Sequence, residues 1–315
     1  MSLIINHNLM AMNANRNLSA AYGNLSTSVS RLSSGLRITT AADDAAGLAI
    51  RELMRADIAS LNQGVRNAND AISMIQTADG ALGVIDEKLI RMKELATQAA
   101  TGTYSSDQRL IIDSEYQQMA SEITRIANAT DFNGIYLLNG NLSATSTAVS
   151  SWASSHSGSG LASTGPLKIH FGTGNDSAED YYYIAIGNAT ASALGVGLSS
   201  DTSKANGSHG VASAGASIST QQGAQEALAA LNAAITSKDN IRANLGSLQN
   251  RLENTITNLQ IQAENLQAAE SRISDADIAT EMTNFVRNQI LTQSAVAMLS
   301  QANTLPQMAL QLMQG

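Results

Sequence analysis

The residues best placed to do chemistry are the adjacent carboxylates Asp43 and Asp44. A carboxylate pair can bind a metal ion or act as a general acid and base. These two follow Thr40 at the predicted start of a helix, where acidic side chains accept hydrogen bonds from unpaired backbone N–H groups and complement the helix dipole. The sequence therefore favours helix capping over catalysis or metal binding at this pair.

The other chemically active residue types are scattered along the chain. His7, His156, His170 and His209 are isolated from one another, and no H-E-x-x-H zinc motif occurs. The stretch from Gly172 to Gly174 lacks the lysine of a phosphate-binding loop, so it predicts a turn. No nucleophile lies beside a base. We therefore predict no catalytic, cofactor or metal site. The rival hypothesis is an enzyme carried on a helical scaffold, and it would require that the purified protein catalyses turnover of a substrate.

Composition narrows the class of protein further. The chain has 315 residues, no cysteine and a formal net charge of −8. Because basic residues do not cluster and no RNA-binding aromatic motif occurs, nucleic acid and anionic membranes are not expected partners. Disulfides and thiolate metal sites are excluded. Aromatic residues make up 3% and prolines number 2, which is typical of long helices rather than of a compact enzyme.

Both ends of the chain are amphipathic without being charged. Residues 1–15 contain no charged side chain, and none follows Arg287, yet apolar residues recur at helical spacing in both stretches. No apolar run approaches the roughly 20 residues that a bilayer requires. The start also does not resemble a cleaved signal peptide, so export would need another route. We predict that the ends pack side by side and against other chains.

Heptad-like spacing identifies the residues expected to carry this packing. Near the N-terminus they are Leu18, Tyr22, Leu25, Val29, Leu32 and Leu36. Near the C-terminus they are Ile290, Leu291, Val296, Leu299, Leu305 and Leu312.

Between the ends, the pattern predicts long helices interrupted by short β structure. A helix of nearly 50 residues follows Asp43, with Gly80 and Gly83 as its weak points, and Ser105 to Gln108 resembles a capping box that begins the next helix. Asn133-Gly134 and Asn139-Gly140 predict turns of a β-hairpin. The expected fold is mainly α: an elongated antiparallel long-helix coiled-coil bundle of N- and C-terminal segments, with this hairpin and a small β-containing outer insert.

The insert differs in composition from the helical parts. Its first part, up to Pro166, is rich in Ser, Thr, Ala and Gly, and two strands are predicted at Leu167–Phe171 and Tyr181–Ile186. Because the insert lacks helical seams, deleting Asn141 to Gln221 is expected to leave assembly intact. Its hydroxyl-rich, charge-poor composition also raises the hypothesis of O-linked glycans on residues 141–221.

Two long stretches carry a specific resemblance to a known family. NRNLSAAYGNLSTSVSRLSSGLRITTAADDAAGLAIRE at Asn15 to Glu52 resembles the N-terminal signature of bacterial flagellins. NLQAAESRISDADIATEM at Asn265 to Met282, with the stretch Gln289 to Met313, resembles their C-terminal signature. The resemblance implies a structural filament subunit used for motility, extracellular on the bacterial flagellum, exported by the flagellar type III apparatus and served by chaperone, cap and junction proteins.

The resemblance also implies a domain division and a receptor site. Residues 1–40 with 275–315 would form the inner filament core, 41–140 with 222–274 a helical rod domain, and 141–221 a surface-exposed variable domain. Arg91, Leu95 and Glu115 match the motif that the flagellin-sensing Toll-like receptor of animal hosts reads in the monomer. A hook–filament junction or adaptor protein is the alternative, although SSGLRITTAADDAAGL is closer to flagellin.

Overall fold

The computed structural model describes residues 8–143, 165–176, 180–196 and 217–314. It is mainly helical, with two small antiparallel sheets. The helices are α1 (Leu9–Ser34), α2 (Ala45–Ala100), α3 (Ser106–Ala129), α4 (Gln221–Ser274) and α5 (Ile278–Gln314). The strands are β1 (Asp131–Phe132), β2 (Ile135–Tyr136), β3 (Leu167–His170) and β4 (Tyr181–Ile184). The predicted fold class is confirmed in its mainly helical content and its strand pairs.

Local signals explain where the helices begin and end. Asn8 caps α1 by accepting a hydrogen bond from the backbone N–H of Ala11 at 3.0 Å. Gly35 ends the same helix with φ of 71°, a left-handed conformation that glycine adopts without steric penalty. Ser105 and Gln108 form the predicted capping box of α3, with both reciprocal hydrogen bonds present.

The second helix is longer than the sequence pattern predicted. α2 runs for 56 residues without a break. Gly80 and Gly83, the expected weak points, both lie within the continuous helix. Packing along a buried seam therefore outweighs the loss of about 1 kcal/mol of helix propensity at each glycine.

The described residues form two compact units. The first contains residues 8–59 and 263–314, and the second contains the described residues between 60 and 262. In the first unit, a backbone bridge joins Leu36 to Asp275, and the N–H of Arg37 donates to the carbonyl of Ser274 at 2.6 Å. Chain segments more than 200 residues apart in sequence are thus held together by backbone hydrogen bonds.

The second unit has an apolar core built from α2, α3 and α4. Alanines alternate with larger side chains along the buried faces of these helices. Fully buried members include Leu82, Leu89, Tyr116, Ile123 and Leu231. Two ion-pair contacts between α2 and α4, Asp79 with Arg242 and Asp86 with Lys238, show that these helices run antiparallel in this unit.

The first hairpin forms at the predicted Asn-Gly turn. Asn133 and Gly134 have φ of 52° and 79°, the left-handed values that a type I′ turn needs at both central positions. β1 and β2 pair on either side of the turn, with Asp131 opposite Tyr136 and Phe132 opposite Ile135. Gly134 donates its N–H to the Asp131 carboxylate at 3.1 Å, which closes the turn.

The predicted strands of the insert also form, but they belong to the core of the second unit. β3 and β4 are antiparallel, with Leu167 opposite Ile184. Ile184, Ile186 and Val196 are at most 1% exposed and lie in the same apolar cluster as the long helices. The described part of residues 141–221 therefore shares the helical core, whereas the predicted division into three domains stays a prediction.

Contacts on both flanks fix this hairpin to the helices. The Asn67 side chain on α2 donates to the carbonyl of His170 at 2.8 Å. On α4, the Arg251 guanidinium lies 3.5 Å from the centroid of the Tyr182 ring, a cation–π distance. Gly64 faces the backbone of Phe171 so closely that a Cβ atom there would overlap the Phe171 carbonyl. The hairpin thus lies directly on the helix backbone.

Candidate assembly surface on the terminal helices

Asp43 and Asp44 both accept hydrogen bonds from nearby residues. The Asp43 carboxylate accepts hydrogen bonds from the backbone N–H and the hydroxyl of both Thr39 and Thr40, at 3.0–3.2 Å. The bond from the Thr40 backbone is the largest cause that lowers the pKa of Asp43 to about 2. Asp44 accepts from the backbone N–H of Gly47 at 2.9 Å, at the N-terminus of α2. The predicted helix capping is therefore observed for Asp44, whereas Asp43 closes the turn that precedes α2 and lies 3.5 Å from Arg31.

The other residues considered for chemistry, the Gly172–Gly174 stretch and the histidines, form no catalytic or metal-binding cluster within the described part of the chain. Gly172 and Gly174 lie in the turn between β3 and β4, where the N–H of Gly174 donates to the Asp180 carboxylate at 3.3 Å. His7, His156 and His209 lie outside the described residues. Within 8–143, 165–176, 180–196 and 217–314, no three His, Cys, Asp or Glu side chains gather as metal ligands would.

In the first unit, α1 and α5 pack side by side in opposite directions. Asn8 donates to the carbonyl of Ala302 at 2.8 Å at one end of the pair. Arg31 and Glu281 approach to 4.0 Å at the other end. The N- and C-terminal segments are therefore partners, as the sequence predicted.

The most buried side chains between these two helices are small or polar, while Leu18, Leu25, Leu32 and Leu299 are partly buried. Ala21 and Ser28 of α1, together with Thr292 and Ala302 of α5, are at most 9% exposed. The Thr292 hydroxyl donates a hydrogen bond to the backbone carbonyl of Asn288 at 2.6 Å, so burial of Thr292 leaves no unpaired donor. Small residues allow close approach of the helices but bury little apolar area.

Many of the large apolar side chains of both helices point outward. The following side chains are 45% exposed or more, and we call them the terminal apolar surface: Leu9, Met10, Met12, Tyr22, Val29, Ile278, Met282, Val286, Ile290, Leu291, Val296, Met298 and Met308. Eight of them lie on α5. Exposed apolar surface of this extent is typical of a site that packs against another protein surface.

A groove of about 680 Å³ lies between α1 and α5. Met10, Leu291 and Met298 contribute apolar walls, and Ala14 and Asn17 contribute small and amide side chains. No charged residue lines it, so another uncharged helix can fill it without desolvating a charge.

The structure corrects the intramolecular part of the predicted seams. Leu18, Leu25, Leu32 and Leu36 are partly buried, as is Leu299. Tyr22, Val29, Ile290, Leu291 and Val296 are exposed because Ala21, Ser28 and Thr292 occupy the contact between the helices. The side chains of Leu305 and Leu312 lie outside the described residues. The role of all these residues in packing between subunits stays a prediction.

The three predicted receptor residues separate into two environments. Arg91 on α2 donates to the Glu115 carboxylate of α3 at 2.8 and 3.1 Å and to Glu94 at 2.9 Å. The hydrogen bond to Glu115 is the largest of the effects that raise the pKa of Arg91. Leu95 is only 2% exposed. The Leu95 side chain therefore lies in the core, apart from the exposed Arg91–Glu115 pair, and the receptor role of the three residues stays a prediction.

Sequence reasoning missed the small-residue face of the terminal helices. Ala11, Ala14, Ala21 and Ser28 on α1 recur at intervals of three, seven and seven residues. That stripe of small residues was visible beside the leucines, and it marks where two helices can approach closely.

Comparison with known proteins places these features in a family. The family model of the "Bacterial flagellin N-terminal helical region" matches residues 5–143, and that of the "Bacterial flagellin C-terminal helical region" matches residues 228–313. "Flagellin FlaB1" of Treponema pallidum (strain Nichols) is 40% identical over 311 residues, which are 99% of this chain and 100% of that protein. The "Flagellar filament 33 kDa core protein" of Treponema phagedenis is 40% identical with the same coverage.

A solved structure is also similar. The crystal structure of Bacillus cereus flagellin is 30% identical, covers 65% of this chain and 94% of that chain, and has a TM-score of 0.43. From the two family matches and the full-length relatives, this chain belongs to the bacterial flagellins. It is a structural subunit of the extracellular flagellar filament, not an enzyme. Among the helices that the structure describes, none is long and apolar enough to cross a membrane.

Proposed function

We propose that this flagellin polymerises by burying its terminal apolar surface against the same helices of neighbouring subunits. The observation that supports this is that the most buried residues between α1 and α5 are small or polar, while the large Met10, Ile290 and Met298 are 50% exposed or more. Fully burying such a side chain stabilises by about 1.5–3 kcal/mol, so covering several of them can drive assembly.

The absence of charge supports the same proposal. In the described part of α5 beyond Arg287, no side chain is charged. Assembly would therefore desolvate amides and hydroxyls, which can form hydrogen bonds between subunits, rather than ions. Contacts of this kind between non-equivalent faces of identical subunits generate an open helix, which is the symmetry of a filament.

Family membership supports a proposal about how the chain is exported and which accessory proteins it meets. We propose that the chain leaves the cell through the flagellar type III apparatus and meets export chaperone, cap and junction proteins. The cysteine-free sequence is compatible with export in an unfolded state, because folding requires no disulfide. The alternative, a junction or adaptor protein, would form short oligomers, whereas a filament subunit forms long uniform filaments under electron microscopy.

Two finer roles are proposed on separate observations. The exposed Arg91–Glu115 pair on α2 and α3 would be read by the flagellin-sensing Toll-like receptor in the monomer. O-linked glycans on residues 141–221 would raise the intact mass above the 32.8 kDa of the polypeptide. An intact mass equal to the polypeptide would contradict the second role.

The assembly proposal is tested by replacing two outward-facing side chains, Ile290→Gln and Met298→Gln. Each is about half exposed in the single chain, so each substitution should remove about 1 kcal/mol of burial between subunits and raise the critical concentration roughly fivefold to tenfold. Sedimentation of seeded filaments measures this concentration.

The matched control is Gln293→Ala, an exposed polar position on the same helix. We expect its critical concentration and the circular dichroism of all three monomers to match those of the parent. Normal polymerisation of the Ile290→Gln/Met298→Gln double variant would contradict the proposed role of the terminal apolar surface.

A further inference from the structure

We propose that Lys238, together with Asp79 and Asp86, sets the register in which α2 and α4 pair in the second unit. This inference concerns how the subunit folds correctly and is independent of the contacts proposed between subunits.

Lys238 is a buried cation in an apolar seam. Its side chain is 3% exposed, and its Nζ atom lies 2.6 Å from Asp86 on α2 and 2.7 Å from the neighbouring Asp239. One turn further along α4, Arg242 donates to both carboxylate oxygens of Asp79, at 2.6 and 3.1 Å. The two helices are thus joined by two adjacent ion pairs.

The apolar residues around this cluster define the register poorly by themselves. The buried positions of α4 on either side of Lys238 include Ala224, Ala227, Leu231, Ala234, Leu245 and Leu252. Those of α2 include Ala71, Ile75, Ala78, Leu82, Ile85 and Leu89. A slip of seven residues places an apolar residue opposite an apolar residue again, so much of the packing would be retained.

The charges, in contrast, match in one register. Ile72, Asp79, Asp86 and Lys93 are spaced by seven residues and share one flank of α2. A slip in one direction would place Lys238 opposite Lys93, a like charge. A slip in the other would place Lys238 opposite Asp79 but Arg242 opposite Ile72. Only the observed register pairs both cations with carboxylates of α2.

Asp239 does not contribute to this selection, because it neighbours Lys238 on α4 and accompanies it in every register. Replacing a buried ion pair by apolar residues is often neutral or stabilising, whereas a single polar residue in an apolar seam is known to specify register. The expected signature of Lys238 is therefore a narrow distribution of registers rather than high stability.

The test uses the cysteine-free full chain with spin labels at Gln76→Cys on α2 and Asn232→Cys on α4, both exposed positions. Pulsed electron resonance measures the distance between the labels. The substitution Lys93→Asp creates carboxylates at 79, 86 and 93, so that the observed register and one slipped register each hold two ion pairs between the helices. We expect a second population, longer by about 10 Å, the length of seven helical residues.

The matched control is Lys93→Gln, which removes the cation without adding a carboxylate and should keep the single parental distance. Lys238→Met should broaden the distance distribution, whatever its effect on the thermal midpoint. If Lys93→Asp retains the single parental distance, the proposal is wrong, whatever Lys238→Met does. If Lys238→Met keeps one narrow distance, the lysine does not select the register, which also overturns the proposal.

Discussion

The guanidinium of Arg91 bridges two helices and remains half exposed: it donates to Glu115 of α3 and to Glu94 of its own helix, and its side chain is 49% accessible. An oriented, partly exposed arginine is typical of a binding hot spot, whereas a buried leucine is not available for contact. At the scale of single residues, the proposed receptor contact therefore rests on Arg91 and Glu115.

We predict that Arg91→Ala weakens binding of the monomer to the receptor ectodomain by about 2 kcal/mol, the size expected of a hot spot. Arg125→Ala is the matched control, because Arg125 forms a similar exposed pair with Glu122 on α3. Calorimetric titration measures both affinities. Equal affinity for the parent and Arg91→Ala would remove the receptor assignment and leave the filament role unchanged.

Gly64 provides a second prediction at this scale. A Cβ atom at Gly64 would overlap the Phe171 carbonyl, whereas nothing lies within 4 Å of one at Gly80. We expect Gly64→Ala to destabilise the protein by about 1–3 kcal/mol by displacing the β3–β4 hairpin. Gly80→Ala should stabilise it by about 0.5–1 kcal/mol, since alanine is the better helix former. Urea unfolding of both variants measures the difference; equal effects would contradict close packing of the hairpin.

At the scale of elements, β3 and β4 contribute side chains to the apolar core of the second unit. Ile184 and Ile186 are at most 1% exposed. Deleting Asn141 to Gln221 would remove these side chains together with Val196 and Ile218, which are also fully buried. We therefore no longer expect that deletion to be harmless: the second unit should lose stability before assembly can be judged.

Point variants make this prediction specific. Ile184→Ala should lower the free energy of unfolding by about 2–5 kcal/mol, because it opens a cavity between the hairpin and the helices. Ile111→Ala, at a position that is 72% exposed, should change it by less than about 0.5 kcal/mol. Thermal unfolding followed by circular dichroism compares them. A small effect at Ile184 would mean that the hairpin does not contribute to the core.

At the scale of the whole molecule, the terminal helices leave apolar surface that only another copy of the chain can cover under the proposed function. Binding that favours the ordered state stabilises it by mass action, so assembly and ordering of the ends would be coupled.

Removing Thr304 to Gly315 should leave a helical monomer that does not polymerise. The truncation removes Met308, which is 47% exposed, and shortens α5 by about three turns. The ordering of the remaining helices should change little, because the contacts of Asn8 with Ala302 and of Arg31 with Glu281 lie outside the deleted segment. Electron microscopy after seeding provides the measurement; filaments of normal length would contradict the role of this end.

Several features of this protein were determined by the sequence alone. Capping of α2 by Asp44 and of α3 by Ser105 depends on residues within four positions of the helix start, so local chemistry is sufficient to predict it. The Asn133-Gly134 turn is equally local. The pairing of the two ends was predictable as well, because both are apolar at helical spacing and neither carries the charge of a solvent-exposed face.

Only the tertiary structure decided which side of each helix faces its partner. Tyr22 and Ala21 are adjacent in sequence, yet Ala21 lies in the contact and Tyr22 outside it, because two helices approach most closely along their small residues. The burial of Leu95, of the β3–β4 hairpin and of Lys238 depends on segments distant in sequence; Asp86, the partner of Lys238, lies 152 residues away. Such contacts depend on the three-dimensional arrangement of distant segments. The hydrophobic spacing within one helix does not encode which distant segment packs against it, so these contacts could not be predicted from that spacing.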